Sequence, residues 1–260
     1  MRTLIKLGGT LLDSAGSRRR IAEEIGQLSA ESGGEIVVVH GGGKQMTRFL
    51  AERGIESKFV NGLRVTTPEV IDALLKVVAG TVNHELVASL VATGANAVGL
   101  SGIDSALVEV EALGGEYGAV GKPVHCNPKL LHVLCAAGFL PVVACIGGDQ
   151  AGNVYNVNAD QMAVAFAVGF GAERLFFLTD VEGVRDASGR IAATLDISQI
   201  DNLIRTGVAA GGMQAKLEAA KQALRDGVGR VVIAPGTQPG IVHDLAASQS
   251  TGTKLTIGVS

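Results

Sequence analysis

The stretch Ile36-Val37-Val38-Val39-His40-Gly41-Gly42-Gly43 joins an apolar run to three consecutive glycines. The apolar run predicts a buried strand, and residues 44–53 predict a helix directly after the glycines. The same order occurs upstream, where a strand at residues 4–7 precedes a helix from about residue 17 to residue 32. This alternation predicts a parallel sheet. Glycines that follow a strand or open a helix expose backbone N–H groups, which favour an anion.

Strand and helix signals continue along the rest of the chain. Thr67 and Pro68 fit the cap and first turn of a long amphipathic helix, and Gly227 is expected to end a helix that begins at Met213. A hairpin is expected around the Gly114-Gly115 turn. The other predicted elements are strands at 97–100, 140–146, 174–178 and 230–234, and helices at 128–137 and from about 156–160 to 169. Their order suggests two lobes, residues 1–178 and residues 179–260.

The composition argues against several classes of protein. Of the 260 residues, 47% are apolar and 18% are charged, which is ordinary for a globular α/β protein. A net charge of -3, with no basic block beyond Arg18-Arg19-Arg20, argues against a nucleic-acid partner. The most apolar stretch, residues 130–146, is interrupted by Gly138 and Pro141, which predicts a helix, a turn and a strand rather than a membrane span. No membrane partner is therefore expected.

The cellular setting is inferred from the cysteines and from the first residues. Cys126, Cys135 and Cys145 are odd in number and lack C-x-x-C spacing, which predicts reduced thiols. Met1-Arg2 leads directly into a strand-like segment without the regions of a signal peptide. The sequence therefore predicts a cytoplasmic protein.

The glycines do not match the common nucleotide motifs. A P-loop requires glycine where this chain has Val38, and Ser or Thr where it has Gln45. The dinucleotide fingerprint, read from Gly41, requires glycine at the position of Met46. An oxyanion loop of a serine hydrolase would need a G-x-S-x-G elbow, and Ile103 breaks the nearest candidate. Glycine turns without a function remain the alternative for either cluster alone.

Several motifs in a fixed order carry a resemblance that covers almost the entire chain. They are Ile5-Lys6-Leu7-Gly8-Gly9, Val38-Val39-His40-Gly41-Gly42-Gly43, Asn61-Gly62-Leu63-Arg64-Val65-Thr66, Ala97-Val98-Gly99-Leu100-Ser101-Gly102, Gly138-Phe139-Leu140-Pro141-Val142, Asn156-Val157-Asn158-Ala159-Asp160, Leu178-Thr179-Asp180-Val181 and the segment from Gly212-Met213 to Lys216. With these motifs the chain resembles the amino acid kinase superfamily, and within it most closely the branch that phosphorylates N-acetyl-L-glutamate for arginine biosynthesis. The resemblance implies an α/β fold, a three-layer αβα sandwich with a mainly parallel central sheet.

The resemblance implies transfer of the ATP γ-phosphoryl group to a side-chain carboxylate, giving an acyl phosphate. A carboxylate with a pKa of about 4.3 is already ionised near neutral pH, so positioning and charge neutralisation remain as the protein's tasks. Lys6 and Lys216 would contact the attacking and leaving sides of the phosphoryl group, and Asp160 would hold the two lysines. The N–H groups of Gly8 and Gly9 would face the nucleotide.

The acid and the nucleotide are assigned further residues by the same resemblance. Arg64 would bind the α-carboxylate of the acid with two parallel hydrogen bonds, and Asn156 would meet its acetylated amino end, beside Gly42 and Gly43. Magnesium is expected to arrive with ATP, and no fixed metal site is expected. The nucleotide would be bound by Asp180, Val181, Gly183, Arg185, Ala210 and Gly211. Residues 1–178 would then bind the acid and dimerise, and residues 179–260 would bind ATP.

Three alternatives and one regulatory expectation follow from this interpretation. The acceptor could instead be a protected aminoadipate or an unblocked amino acid such as aspartate, because one methylene changes discrimination by only about 1 to 3 kcal/mol. A catalytically silent sensor would not need Lys6, Asp160 and Lys216. No helix precedes the first strand here, as it does in arginine-inhibited relatives, so a homodimer insensitive to arginine is expected.

Overall fold

A central sheet of eight short strands organises the computed structural model, which describes residues 1–33 and 35–258. The strands are β1 (Thr3–Leu7), β2 (Ile36–His40), β3 (Phe59–Val60), β4 (Leu63–Arg64), β5 (Ala97–Ser101), β6 (Val108–Ala112), β7 (Val120–Cys126), β8 (Leu140–Ala144), β9 (Ile146–Gly148), β10 (Val154–Val157), β11 (Arg174–Thr179), β12 (Thr194–Asp196), β13 (Arg230–Pro235) and β14 (Thr253–Thr256). The order in the central sheet is β12-β14-β13-β11-β1-β2-β8-β5. Its strands run parallel except at the β13/β14 contact, so the predicted mainly parallel sheet is confirmed.

Helices cover both faces of this sheet, which gives the predicted three-layer αβα sandwich. They are α1 (Ala15–Ser32), α2 (Gly43–Ala51), α3 (Pro68–Leu74), α4 (Asn83–Val91), α5 (Lys129–Ala136), α6 (Ala159–Phe170), α7 (Ile197–Arg205), α8 (Gly211–Arg225) and α9 (Ile241–Ala246). On one face α1 packs against α4 and α9, and on the other α6 packs against α8, β1 and β11. Strands β1, β2, β8 and β11 are buried almost throughout, as expected for parallel strands covered on both sides.

The middle of the chain departs from the predicted elements. The expected single strand at 140–146 is two strands, β8 and β9, with Cys145 between them. The predicted helix near Asn156 begins only at Ala159, because residues up to Val157 form β10 and Asn158 caps the helix. Strands β6, β7, β9 and β10 close into a second small sheet beside the central one, and β3 pairs with β4 in a hairpin.

The long helix is continuous from Pro68 to Val91 and includes a π-helical segment, Leu75–Val82, between α3 and α4. Thr67 caps it by accepting a hydrogen bond from the N–H of Val70, as the sequence predicts. Among the described residues it is the one helix long and apolar enough to cross a membrane. The side chains on one of its faces are buried in the protein core, which accounts for its apolar composition: Val70, Leu74, Val78, Val82, Leu86 and Leu90.

The central sheet runs without a break across the predicted lobe boundary. Strand β11 ends at Thr179 and pairs with β1 on one side and β13 on the other. The division into lobes 1–178 and 179–260 stays a prediction, and Val259 and Ser260 of the second lobe lie outside the described residues.

A buried polar contact supports the glycine loop that follows β2. The His40 ring is fully buried, with Nδ1 2.9 Å from the Gly41 carbonyl oxygen and Nε2 2.9 Å from Asn83 Nδ2. A carbonyl oxygen only accepts, so Nδ1 carries the proton and Nε2 accepts from the Asn83 amide. Asn83 also donates to the Val142 carbonyl oxygen at 3.0 Å. Burial lowers the pKa of His40 to about 4, although its hydrogen bond to Gly41 opposes the change. His40 is therefore neutral at physiological pH.

This histidine predicts a pH-dependent loss of stability. Between pH 6.5 and pH 4 the unfolded chain binds a proton that folded His40 does not, so the free energy of unfolding falls as the pH falls through this window. We expect a loss of about 2 kcal/mol between pH 7.5 and pH 5, measured by urea unfolding. His40→Gln should lack this component, whereas His84→Gln, at an exposed position, should keep it. Parallel pH profiles for the wild type and His40→Gln would contradict the assignment.

Candidate functional site

Two lysines and one aspartate from distant parts of the chain meet near the carboxyl end of β1, in the middle of the central sheet. Lys6 is in β1, Asp160 is in the first turn of α6, and Lys216 is in α8. Lys6 Nζ forms an ion pair with Asp160 Oδ1 at 2.6 Å, and Lys216 Nζ donates to Oδ2 at 2.9 Å. All three side chains are at most 10% exposed. The structure thus brings together the three residues that the sequence analysis assigns to catalysis.

Burial and charge act in opposite directions on these groups. Burial alone would raise the pKa of Asp160, but Lys6 and Lys216 outweigh it and hold the pKa at about 2. Burial and the neighbouring charge of Lys6 lower the pKa of Lys216, while Asp160 raises it in part. The carboxylate is therefore ionised at neutral pH. It keeps two cations side by side that would otherwise repel each other.

Local structure fixes the position of the aspartate. Asn158 Oδ1 caps α6 by accepting from the N–H groups of Asp160 at 2.9 Å and Gln161 at 3.2 Å. An acidic residue in the first turn of a helix is also favoured by the helix dipole. The Asn-x-Asp spacing therefore supplies both the cap and the charge.

The glycines of the first two loops lie side by side next to this centre. A Cβ atom at Gly9 would lie 3.4 Å from the Gly43 backbone nitrogen, and one at Gly42 would lie 2.9 Å from Val78 Cγ2. Gly8 donates its N–H to the Leu178 carbonyl oxygen at 2.9 Å, so it is not free to bind a ligand in this conformation. The Val78 side chain therefore leaves little room for a side chain at Gly42, whereas a Cβ atom at Gly9 would only touch the Gly43 backbone.

A cavity of about 180 Å³ joins the second loop to the predicted acid-binding residues. Arg64 and Asn156 line it with Gly42 and Gly43, so these four residues share one site. Asn156 donates from Nδ2 to Thr66 Oγ1 at 3.1 Å, which leaves its amide oxygen available. Cys145 also lines the cavity, and burial raises the pKa of its thiol to about 11.

Arg64 is already held by several contacts. Its Nη2 atom donates to the Gly43 carbonyl oxygen at 3.0 Å and to Thr47 Oγ1 at 2.8 Å, while Nη1 donates to Ser57. The guanidinium also lies over the Phe59 ring, 4.7 Å from its centroid. A guanidinium has five N–H donors, and these contacts leave Nε–H and one Nη1–H for a carboxylate. Both pairs of parallel donors include Nη2, so the predicted pair of parallel hydrogen bonds requires Nη2 to give up one of its present contacts.

The residues that are predicted to bind the nucleotide lie in two separate segments of the chain. Asp180 is exposed and accepts a hydrogen bond from Thr10 Oγ1 at 3.1 Å, which links it to the Gly8-Gly9 loop. Val181, Gly183 and Arg185 follow it, and Arg185 donates to the Gly189 carbonyl oxygen at 2.7 Å. Ala210 and Gly211 form the start of α8, one and a half turns before Lys216. Within the described part of the chain, no side-chain hydrogen bond or ion pair joins these residues to Lys6 or Lys216, so their role stays a prediction.

A larger cavity, of about 600 Å³, contains residues that the sequence analysis does not assign. It is lined by Gly9, Thr10, Gly43, Lys44, Thr47, Arg48, Ala51, Phe59 and Arg64. Thr10 and Lys44 directly follow the two glycine loops, and this adjacency is the signal that could have identified them. Thr47 carries no such signal, because its contact with Arg64 depends on tertiary structure.

Two other features of the described residues lie apart from this site. A cavity of about 810 Å³ between β7, α6 and α8 contains none of the predicted site residues. Within residues 1–33 and 35–258, no group of three His, Cys, Asp or Glu side chains is placed to hold a metal ion.

Known proteins resemble the chain over its whole length. The sequence profile of the Amino acid kinase family matches residues 1–235. A protein named acetylglutamate kinase from Solibacter usitatus (strain Ellin6076) is 60% identical over 98% of this chain and 99% of its own length. One of the same name from Zymomonas mobilis is 40% identical over 96% of this chain and 87% of its own length.

A solved structure resembles the fold closely. N-acetylglutamate synthase from Neisseria gonorrhoeae, complexed with coenzyme A and N-acetyl-glutamate, has a TM-score of 0.89 and 26% identity to this chain. The comparison covers 100% of this chain but only 60% of that protein's length.

The buried aspartate predicts a large effect on stability. Asp160→Asn removes the charge that holds two buried lysines, so we expect the free energy of unfolding at pH 7 to fall by about 3 kcal/mol or more. Asp201→Asn is the matched control, because Asp201 also pairs with a buried lysine, Lys221, but is 50% exposed. We expect the control to lose less than about 1 kcal/mol. Equal losses in urea unfolding would contradict the special role of Asp160.

Proposed function

The chain belongs to the amino acid kinase family, and we propose that it transfers the γ-phosphoryl group of ATP to the side-chain carboxylate of N-acetyl-L-glutamate. The bond from the γ-phosphorus to the bridging oxygen of ADP breaks, and a bond to a carboxylate oxygen forms. No proton is moved, because the acceptor is already ionised. The product is an acyl phosphate, an intermediate suited to arginine biosynthesis.

One observation carries this proposal: the pair of lysines held by Asp160 stands beside a cavity that contains an arginine and an amide. Phosphoryl transfer places negative charge on the attacking and leaving oxygens, and two fixed cations neutralise it. Lys6 is assigned to the attacking side and Lys216 to the leaving side. Because Asp160 is ionised and engaged with both, it positions them and takes no proton.

Recognition of the acid is assigned to the smaller cavity. The remaining donors of Arg64 would bind the α-carboxylate, and the Asn156 amide would meet the acetylated amino group. The backbone around Gly42 and Gly43 would hold the reacting carboxylate. The name of the 60% identical relative and the N-acetyl-glutamate in the similar synthase support an acetylated acid of this class.

The remaining parts of the proposal concern the nucleotide and the assembly. ATP would be bound by the Gly8-Gly9 loop, by Asp180, Val181, Gly183 and Arg185, and by Ala210 and Gly211. Bound Mg²⁺ would supply charge neutralisation at the β- and γ-phosphate oxygens, which hold it. We propose further that residues 179–260 bind ATP while residues 1–178 bind the acid, and that the protein acts as a cytoplasmic homodimer.

The first test is a search for the acyl phosphate. Purified protein with Mg-ATP and hydroxylamine should form hydroxamate from N-acetyl-L-glutamate, and not from glutamate, aspartate or N-acetyl-aminoadipate. Lys216→Met should lower kcat roughly 100-fold, the cost of losing one preorganised donor to the transition state. Lys129→Met, at an exposed helix start, is the control and should keep full activity. Hydroxamate from another acid would change the assigned acceptor, and none from the whole panel would overturn the kinase assignment.

The role of Arg64 has its own test. Arg64→Lys keeps the charge but loses the planar pair of donors, so KM for the acid should rise about tenfold with little change in KM for ATP. Arg53→Lys is the matched control, since Arg53 also lies over an aromatic ring, that of Phe49, but outside both cavities. A rise confined to KM for ATP would show that Arg64 serves the nucleotide instead.

A further inference from the structure

Lys44 is a third lysine close to the glycine loops, and it is not one of the two lysines, Lys6 and Lys216, that are assigned to catalysis. It is the second residue of α2 and directly follows Gly41-Gly42-Gly43. Its side chain is exposed and lines the 600 Å³ cavity, together with Gly9 and Thr10 on one side and Arg64 on the other. Lys44 therefore lies between the loop assigned to the nucleotide and the residues assigned to the acid.

The charge of Lys44 is uncompensated by any close carboxylate among the described residues. Lys6 and Lys216 both contact Asp160, and the neighbouring Arg48 pairs with Asp13 at 3.2 Å. Lys44 has no such partner in the part of the chain that the structure describes. Its amine is free to bind an anion that enters the cavity.

The positive charge of Lys44 reaches Asp180, which lies on the side of the cleft assigned to the nucleotide. Burial disfavours ionised Asp180, but the hydrogen bond from Thr10 and the more distant charge of Lys44 help to lower its pKa. Lys44 is thus close enough to influence a group on the nucleotide side of the cleft. Asp180 itself is engaged by Thr10 and Thr179, so it does not replace a phosphate as the partner of Lys44.

The position of Lys44 is unfavourable for the helix that carries it. The N-terminus of a helix has a partial positive charge, so a lysine in the first turn lowers helix stability. No acidic residue in the first turn of α2 offsets this effect. A charge that costs stability and faces a cleft is typical of a functional residue.

We infer that Lys44 binds the terminal phosphate of the nucleotide and adds a third cation to the phosphoryl group during transfer. The inference rests on the proposed function, because it requires ATP between the two glycine loops. It differs from the roles of Lys6 and Lys216, which act from buried positions through a shared aspartate. Lys44 acts from the solvent side and binds the γ-phosphate, which ATP has and ADP lacks.

The test compares the affinities of ATP and ADP, each with magnesium, by isothermal titration calorimetry. In Lys44→Met the Kd for ATP should rise about tenfold, the loss of one charge-assisted hydrogen bond at a partly exposed site, while the Kd for ADP changes less than about twofold. Lys44→Arg keeps a cation and should retain most of the affinity for ATP. Lys129→Met, another lysine at an exposed helix start, should leave both affinities unchanged.

Thermal unfolding separates this role from a structural one. Both Lys44→Met and Lys129→Met remove a positive charge from a helix start, so both should raise the unfolding midpoint by roughly 1 to 3 °C. Equal effects of Lys44→Met on ATP and ADP, or no effect on either, would overturn the inference and leave the proposed function intact. Wild-type protein that binds neither nucleotide would overturn the proposed function, and the inference with it.

Discussion

The contact of Lys6 and Lys216 with Asp160 is the interaction on which both the site and the packing around it depend. It joins β1, α6 and α8 through residues that are far apart in the sequence, since Lys216 follows Asp160 by 56 residues and Lys6 is near the start of the chain. Two buried lysines without a counterion would carry a large desolvation cost, and a single aspartate relieves it for both. The group keeps one net positive charge, so it remains attractive to an anion. The same carboxylate therefore stabilises the fold and holds the charge that the proposed phosphoryl transfer requires.

The glycine loops gain their rigidity from contacts behind them. His40 donates to the Gly41 carbonyl oxygen and is itself held by Asn83, whose amide also bonds to β8. A Cβ atom at Gly42 would lie only 2.9 Å from Cγ2 of Val78 in the long helix, so a side chain there would displace Val78. The loop is thus fixed from the core side before a ligand arrives. Donors fixed in advance need not reorganise when charge develops, which is how such sites lower a barrier.

The sequence was sufficient to predict an element where its local pattern matches its place in the fold. It was insufficient where pairing between distant segments determines the structure. The apolar runs of β1, β2 and β11 predicted the parallel core because such strands are buried on both faces. Val154–Val157 was missed because its half-buried residues show no clear period, and pairing with β7 and β9 makes it a strand. Within the site, the resemblance carried by the motifs was enough to select Lys6, Asp160 and Lys216, whose side chains meet in the structure, while their catalytic role stays a prediction. The contact of Thr47 with Arg64 has no local signal, because it arises only when α2 packs beside the β3–β4 hairpin.

The protonation state of Asp160 restricts the chemistry that this site can perform. A hydroxyl acceptor would need a general base, and an efficient base has a pKa near the working pH. Asp160, with a pKa of about 2, is far from that range. His40 is buried beneath the loop, and both of its ring nitrogens are engaged by Gly41 and Asn83. Among the described groups that surround the two lysines, none is thus suited to remove a proton. A carboxylate acceptor needs no such group, so the cations alone suffice, and the electrostatics of the site favour an acid over an alcohol as the phosphoryl acceptor.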